Sequence, residues 1–308
     1  MTLYLPIAEM SVSVIAFLAL GATVGFLSGL FGVGGGFLLA PLLTFLGIPP
    51  GVAVATSTSH VAASSVSGAM TQYRRGNVDI KLASVMLAGG IAGSYVGVAF
   101  VKMLTARGLF ELTVSLTYVI FLGVVGTIIL IEGINSSRKT RTAGSASVRK
   151  PGQHGWMEHL PFKMRFPRSK LYISAVPPVV IGMFVGFISA IMGIGGGFVM
   201  IPAMIYLLRV PTVLVIGTSL FQIVFVSATA TVLHAVENKS VDIVLATILI
   251  LGGVFGAQFG TMAGEKIRGE HLRVLLGALI LLVAARMAVD LAIKPGDLFS
   301  LASTPGAS

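Results

Sequence analysis

The chain has no cysteine, a single tryptophan and, in 308 residues, only 11 acidic side chains. Without cysteine there is no disulfide, no thiolate metal site and no thiol nucleophile. Charged residues make up 10% of the chain and hydrophobic ones 55%, with a mean hydropathy of +0.97. Soluble domains carry about 25% charged residues, so a chain this apolar belongs in lipid. No Asp, Glu, Lys or Arg occurs between Val12 and Gly47, or between Val210 and Val236. Each run exceeds the roughly 18 apolar residues that mark a candidate span.

The net charge is +10, which taken alone points to a polyanion. Its placement points elsewhere. Arg138, Lys139, Arg141, Arg149, Lys150, Lys163, Arg165, Arg168 and Lys170 fall in one segment opposed only by Glu158, so eight of the ten net charges sit there. A basic loop between apolar segments is the positive-inside signature and assigns this loop to the cytoplasm. The expected partners are the lipid bilayer and a small-molecule anion, with no nucleic acid. The sequence fixes no oligomeric state. The N-terminus lacks a basic n-region, so the first apolar segment is expected to be retained.

Apolar segments at 12–31, 37–47, 52–72, 80–103 and 110–133 recur in the same order at 174–192, 198–208, 213–235, 241–263 and 272–293. The expected division is a transmembrane repeat over 1–134, a basic cytoplasmic linker over 135–172, a second repeat over 173–294 and a tail over 295–308. The halves match residue by residue. Gly32-Val33-Gly34-Gly35-Gly36-Phe37 corresponds to Gly193-Ile194-Gly195-Gly196-Gly197-Phe198, and Pro41 to Pro202. Thr56-Ser57 corresponds to Thr218-Ser219, Val78-Asp79-Ile80 to Val241-Asp242-Ile243, and Gly89-Gly90-x-x-Gly93 to Gly252-Gly253-x-x-Gly256. Hydrophobicity alone does not place glycine and proline in register, so the pattern reads as a duplication. The predicted fold class is therefore an all-α polytopic membrane protein of two pseudo-symmetric repeats. Each repeat is a glycine-broken hairpin followed by three transmembrane helices.

Charge in the turns orients the halves. With the linker inside, the turn bearing Arg74, Arg75 and Lys81 is inside and the turn bearing Lys102 and Arg107 outside. In the second half the turn with Lys266, Arg268 and Arg273 prefers the inside, leaving Glu237–Lys239 outside. Equivalent turns then face opposite sides, which favours inverted over parallel repeats. The piece 37–47 is about 16 Å long as a helix, too short for about 30 Å of hydrocarbon. A re-entrant or broken hairpin fits better than five crossings per half.

Two constellations carry the candidate chemistry. Three successive glycines uncover backbone N–H groups and permit positive φ, and each knot opens a short helix whose first N–H groups lack partners. Such an end inside a membrane attracts an anion; close helix packing is the competing reading. Neither knot is a dinucleotide fingerprint or a P-loop, because no strand precedes it and no Gly-Lys-Ser/Thr follows. The second constellation is the polar run on the helix after each knot: Thr56-Ser57-Thr58-Ser59-His60 in one half, Thr218-Ser219 and Gln222 in the other. Polar groups at that depth are costly unless paired or facing a cavity. His60, the ionisable group nearest the middle of a crossing, could carry a proton. The candidate substrate-binding set is Gly34, Gly35, Gly36, Thr56, Ser57, His60, Gly195, Gly196, Gly197, Thr218, Ser219 and Gln222. No metal or cofactor is expected. Asp and Glu keep to loops and helix ends, which argues against a membrane-embedded enzyme.

The two Gly-x-Gly-Gly-Gly-Phe-x-x-x-Pro knots, the Thr-Ser after each and the Gly-Gly-x-x-Gly helix resemble the sulfite exporter TauE/SafE permease family across nearly the whole chain. That resemblance implies a secondary transporter of small sulfur-containing or organic anions, such as sulfite or sulfoacetate, commonly working as an exporter. An uptake permease or channel for another small anion remains the alternative. A bacterial source would place it in the inner membrane.

Overall fold

The computed structural model describes residues 2–31, 36–142, 161–169, 171–264 and 269–293. Among the described residues, ten α-helices form a bundle, with two small hairpins at its ends. Strands β1 (Thr2–Leu5) and β2 (Met10–Ser13) pair antiparallel and lead into α1 (Val14–Phe31). The short α2 (Gly36–Phe45) precedes α3 (Pro50–Arg74), α4 (Ile80–Ala106) and α5 (Phe110–Thr142). The second half follows the same order. Strands β3 (Lys163–Phe166) and β4 (Leu171–Ser174) pair antiparallel ahead of α6 (Val176–Met192). Then come α7 (Gly197–Pro202), extended by a π-helical turn Ala203–Leu207, α8 (Thr212–Leu233), extended by another over His234–Asn238, α9 (Ile243–Gly264) and α10 (Gly269–Ile293).

Every helix falls within a few residues of its predicted segment, except that α5 runs on to Thr142. Among the described residues, six helices are long and apolar enough to cross a membrane. The outer surface agrees: Leu116, Ile120, Val124, Ile128 and Ile131 on α5 are all about half exposed, an apolar stripe at helical spacing suited to lipid. α3 has 25 residues but carries the polar run, and it is held at the centre of the bundle.

Glycine sets how the helices pair. On α1, Gly21, Gly25 and Gly29 lie against the backbone of Leu249, Gly253 and Ala257 on α9, while Gly252, Gly256 and Gly260 lie against α1. On α4, Gly89 and Gly93 meet the backbone of Val179 and Met183, and Gly182 and Gly186 of α6 meet that of Met86 and Gly90. A Cβ at any of these positions would overlap the facing chain. Lacking a hydrophobic drive in lipid, helices associate through such close approach. Residue numbers rise together in both pairs, so α1 runs parallel to α9 and α4 parallel to α6. Elsewhere they run oppositely. Gly68 of α3 lies against Leu220 and Gly217 of α8 against Asn77, whereas Thr58 meets Thr231 at 3.1 Å. α3 and α8 are therefore antiparallel. So are α5 and α10, where Gly126 faces Ile280 and Gly277 faces Leu130.

The hairpins were not foreseen, and the segment read as a linker ends in one of them. Phe166, Leu171 and Ile173 are buried in a cluster with Leu82, Met86 and Met204. A buried aspartate pins each hairpin. Asp79 caps α4 by accepting from the Leu82 N–H (3.2 Å), and its other oxygen accepts from the Ser169 N–H (3.0 Å) and Oγ (2.7 Å). Asp242 caps α9 through the Leu245 N–H (3.0 Å) and accepts from the Ile7 N–H (3.1 Å). Each half thus holds the hairpin of the other. The turns assigned to the outer face do meet, since Lys102 pairs with Glu237 at 2.7 Å.

Candidate functional site

The two short helices start side by side. Phe37 and Phe198, their second residues, stack with centroids 5.3 Å apart. Gly36 lies against the carbonyls of Gly193 and Ile194. Gly34 and Gly35 fall outside the described residues. The second knot is fully visible: Gly193 ends α6 in the left-handed region (φ +69°), and Gly195 and Gly196 are left-handed too (φ +76° and +78°). That geometry costs glycine nothing and an L-residue about 1–2 kcal/mol. The Gly193 N–H donates to Ser189 O, while Gly196 O accepts from Val199 and Met200. Gly197 is buried at the start of α7.

The polar run sits beside these knots and is sealed from water. Thr56, Ser57, His60, Ser219 and Ser227 are 0% exposed, with Thr218 and Gln222 at 1%. Buried polar atoms in proteins are normally hydrogen-bonded. Here Thr56 Oγ1, Ser57 Oγ, both His60 ring nitrogens, Ser65 Oγ, Ser189 Oγ, Gln222 Oε1 and Ser227 Oγ have no partner. These groups are concentrated on three helices, α3, α6 and α8.

The candidate residues do not all face one point. His60 lies against Gly253 of α9, and Gln222 against Gly90 of α4. So in each Gly-Gly-x-x-Gly motif the first and third glycines meet backbone, and the second makes room for a polar side chain from the central helix pair. Gln222 Nε2 donates to Met86 O (3.3 Å), which leaves Oε1 as the orphan. Thr218 accepts from the Asp79 N–H (3.1 Å) and Ser219 donates to Ile216 O (3.1 Å). Thr218 is thus tied to the start of α4 and Ser219 to its own helix, whereas their counterparts Thr56 and Ser57 are unpartnered. Val61 lies against Gly36 and Gly195, and Val185 against Gly196, with Ser227 beside Gly195 and Ser189 beside Gly196. Ser189 is not among the residues singled out from the sequence, and its orphaned hydroxyl could not be read there.

Other polar residues are settled. His234 is buried at the end of α8, contacting Ala190 O (2.9 Å) and Asn238 (3.0 Å). Tyr118 donates to Met192 O. Arg286 and Asp290 pair at 2.6 Å, as their spacing predicts. Tyr95 is exposed, as is Gln258, so neither lines the centre. Among the described residues no cluster of His, Asp and Glu could hold a metal.

A multi-pass helical bundle that buries orphaned polar groups between two broken helices has the architecture of a membrane transporter. The chain belongs to the sulfite exporter TauE/SafE family, whose model matches residues 17–287. It is similar to the probable membrane transporter protein YjnA of Bacillus subtilis, 27% identical over 281 residues, 90% of this chain and 100% of that one. A probable membrane transporter protein of Xylella fastidiosa (strain 9a5c) is 28% identical over 276 residues, 89% and 94% of the two chains. The sulfite exporter TauE/SafE family protein 1 of Arabidopsis thaliana is 37% identical, over 83 residues, 27% of this chain and 18% of that one. No solved structure gives a significant match.

Proposed function

We propose that this transporter exports a small sulfur oxyanion or sulfonate, such as sulfite or sulfoacetate, through the centre where α2, α3, α7 and α8 meet. The observation that carries the reading is the set of buried, partnerless polar groups on α3, α6 and α8, with Ser189 and Ser227 beside the second knot. Hydroxyl, amide and imidazole groups all donate to oxyanions. A neutral site binds moderately and releases, which a fixed buried cation would oppose. The proposed set is Gly34–Gly36, Gly195–Gly197, Thr56, Ser57, His60, Thr218, Ser219 and Gln222. Thr56, Ser57 and His60 have the strongest support, because their groups are uncommitted. The chain has no ATP-binding motif, so a substrate or ion gradient drives transport. An inside-negative potential favours outward movement of anions.

Helix directions support inverted repeats: α3 opposes α8 and α5 opposes α10, while α1 follows α9 and α4 follows α6. On the proposed outer face, a cavity of about 610 Å³ lined by Pro49, Pro50, Lys102, Glu111 and Glu237 opens beside the start of α3 and would serve as the vestibule. Cysteines placed at Ser145 and Ser240 should react with impermeant reagents from opposite sides of the membrane. Reaction of both from one side would mean parallel halves.

The main test is anion flux in proteoliposomes under imposed potential and proton gradients, with thermal-shift binding of sulfite, thiosulfate, sulfonates, carboxylates and chloride. His60→Ala should weaken binding by about ten- to a hundredfold, the loss of one charge-assisted hydrogen bond of roughly 1.5–3 kcal/mol, or remove its pH dependence. Wild-type affinity and pH dependence in that variant would reduce His60 to packing. Flux driven only inward would favour an uptake permease.

A further inference from the structure

Val61 occupies the space that a substrate at the knots would need. It is fully buried, and its two methyl groups reach both half-helices. A Cβ at Gly36 would overlap Val61 Cγ2, and one at Gly195 would overlap Val61 Cγ1. The same Gly195 position is 3.2 Å from Ser227 Oγ, and a Cβ at Gly196 would be 3.7 Å from Ser189 Cβ. Both hydroxyls are 0% exposed and have no partner. Ser65, one turn beyond Val61 on the same face of α3, carries a third orphaned hydroxyl. The amides of Gly195, Gly196 and Gly197 have no hydrogen-bond partner among the described residues. Ser227 and the Gly195 amide therefore border the spot filled by the Val61 isopropyl group, and Ser189 borders the adjacent Gly196, where a Cβ would meet Val185 Cγ1.

We propose that the oxyanion head of the substrate docks at the second knot, held by Ser189 and Ser227 and the buried glycine backbone N–H groups, and that Val61 sets the size of substrate the site accepts. This rests on the transport reading above. The donors fit an SO₃ head, which presents several acceptor oxygens and needs no counter-charge beside it. The carbon portion of a sulfonate must then lie along Val61. A valine in a helix has essentially one side-chain rotamer, so it cannot swing aside. Room for the anion comes from a shift of α3 against α7, which links occupancy to movement of the central helices.

The test is a series of equal charge and rising size (hydrogensulfite, methanesulfonate, ethanesulfonate and propanesulfonate) measured as flux and competition in proteoliposomes. Val61→Ala should raise the propanesulfonate-to-hydrogensulfite flux ratio about tenfold or more. Val61→Ile should lower it, which keeps the test open should the alanine variant fail to fold. Ser189→Ala combined with Ser227→Ala should weaken every member similarly and leave the ratio unchanged. Ile223→Ala, made in the same buried cluster as Val61, controls for loosened packing and should not alter the ratio. An unchanged ratio in folded Val61 variants, or an equal shift in Ile223→Ala, overturns the inference and leaves transport standing. No flux of any anion by the wild type overturns the transport reading itself.

Discussion

Gly256→Leu and Gly93→Leu are each expected to abolish recovery of folded protein, whereas Gly123→Ala should be harmless. A Cβ at Gly256 would overlap the Ala22 carbonyl, and one at Gly93 the Met183 carbonyl. Both are backbone atoms inside helices, so no side chain can turn away. The helix pair must separate along its length, and each pair is knit by several glycines in register. Overpacking in cores costs about 1–3 kcal/mol when side chains can adjust; here they cannot, and the loss should exceed that range. Gly123 sits mid-helix in α5 with nothing within 4 Å of its would-be Cβ, and alanine there improves helix propensity by about 1 kcal/mol. Size-exclusion profile and melting temperature in detergent read the outcome. A monodisperse Gly256→Leu protein with wild-type melting would mean that α1 and α9 do not pack as described.

Asp79→Ala should be the most damaging single polar change. It strips the acceptor from three donors at once: the Leu82 N–H, the Ser169 N–H and the Ser169 hydroxyl. Two of those are backbone groups in a buried setting, and each unsatisfied donor costs about 1–3 kcal/mol. The total is on the order of 3–5 kcal/mol, comparable with breaking a buried charged network. The hairpin β3–β4 should detach from α4, exposing Phe166 and Leu171. Protease accessibility near Arg165 and Arg168, together with the melting temperature, would show it. Asp242→Ala should release β1–β2 in the same way but cost less, because one fewer donor is stranded. Equal stability of Asp79→Ala and wild type would contradict the latch.

The helices and the broken hairpins were legible because their signals are local: long uncharged runs, glycine triplets, and prolines at matching places. The meaning of the individual glycines was not. Gly89 and Gly90 are neighbours in one motif, yet the first meets the Val179 backbone and the second faces Gln222 and Val226. Only the rotation of α4 about its axis separates those roles, and a single sequence does not encode it visibly. The hairpins escaped for another reason. Their strands are four residues long, carry no Asn-Gly turn signal, and are stabilised by a residue far away. The repeated Val-Asp-Ile was plain in both halves, but a cap and a capture of a distant loop look identical in one dimension. At the site, Thr56 and Thr218 occupy matching places in the alignment. Thr218 is nonetheless consumed by Asp79, an asymmetry that arises from packing rather than from the local sequence.

The reciprocal latches also dictate an order of assembly. Asp79 must wait for Ser169, 90 residues downstream, and Ile7 must wait for Asp242, 235 residues downstream. At a synthesis rate of about 5–20 residues per second, the first hairpin stays untethered for roughly 10–50 s while the remaining helices enter the bilayer. The N-terminal half is therefore an unfinished object throughout translation, with its Asp242 clasp and the α9 partner of α1 both still unmade. A ribosome stalled before α9 would leave a stable membrane insertion but not a native half. The first half becomes rigid only when the last quarter of the chain arrives.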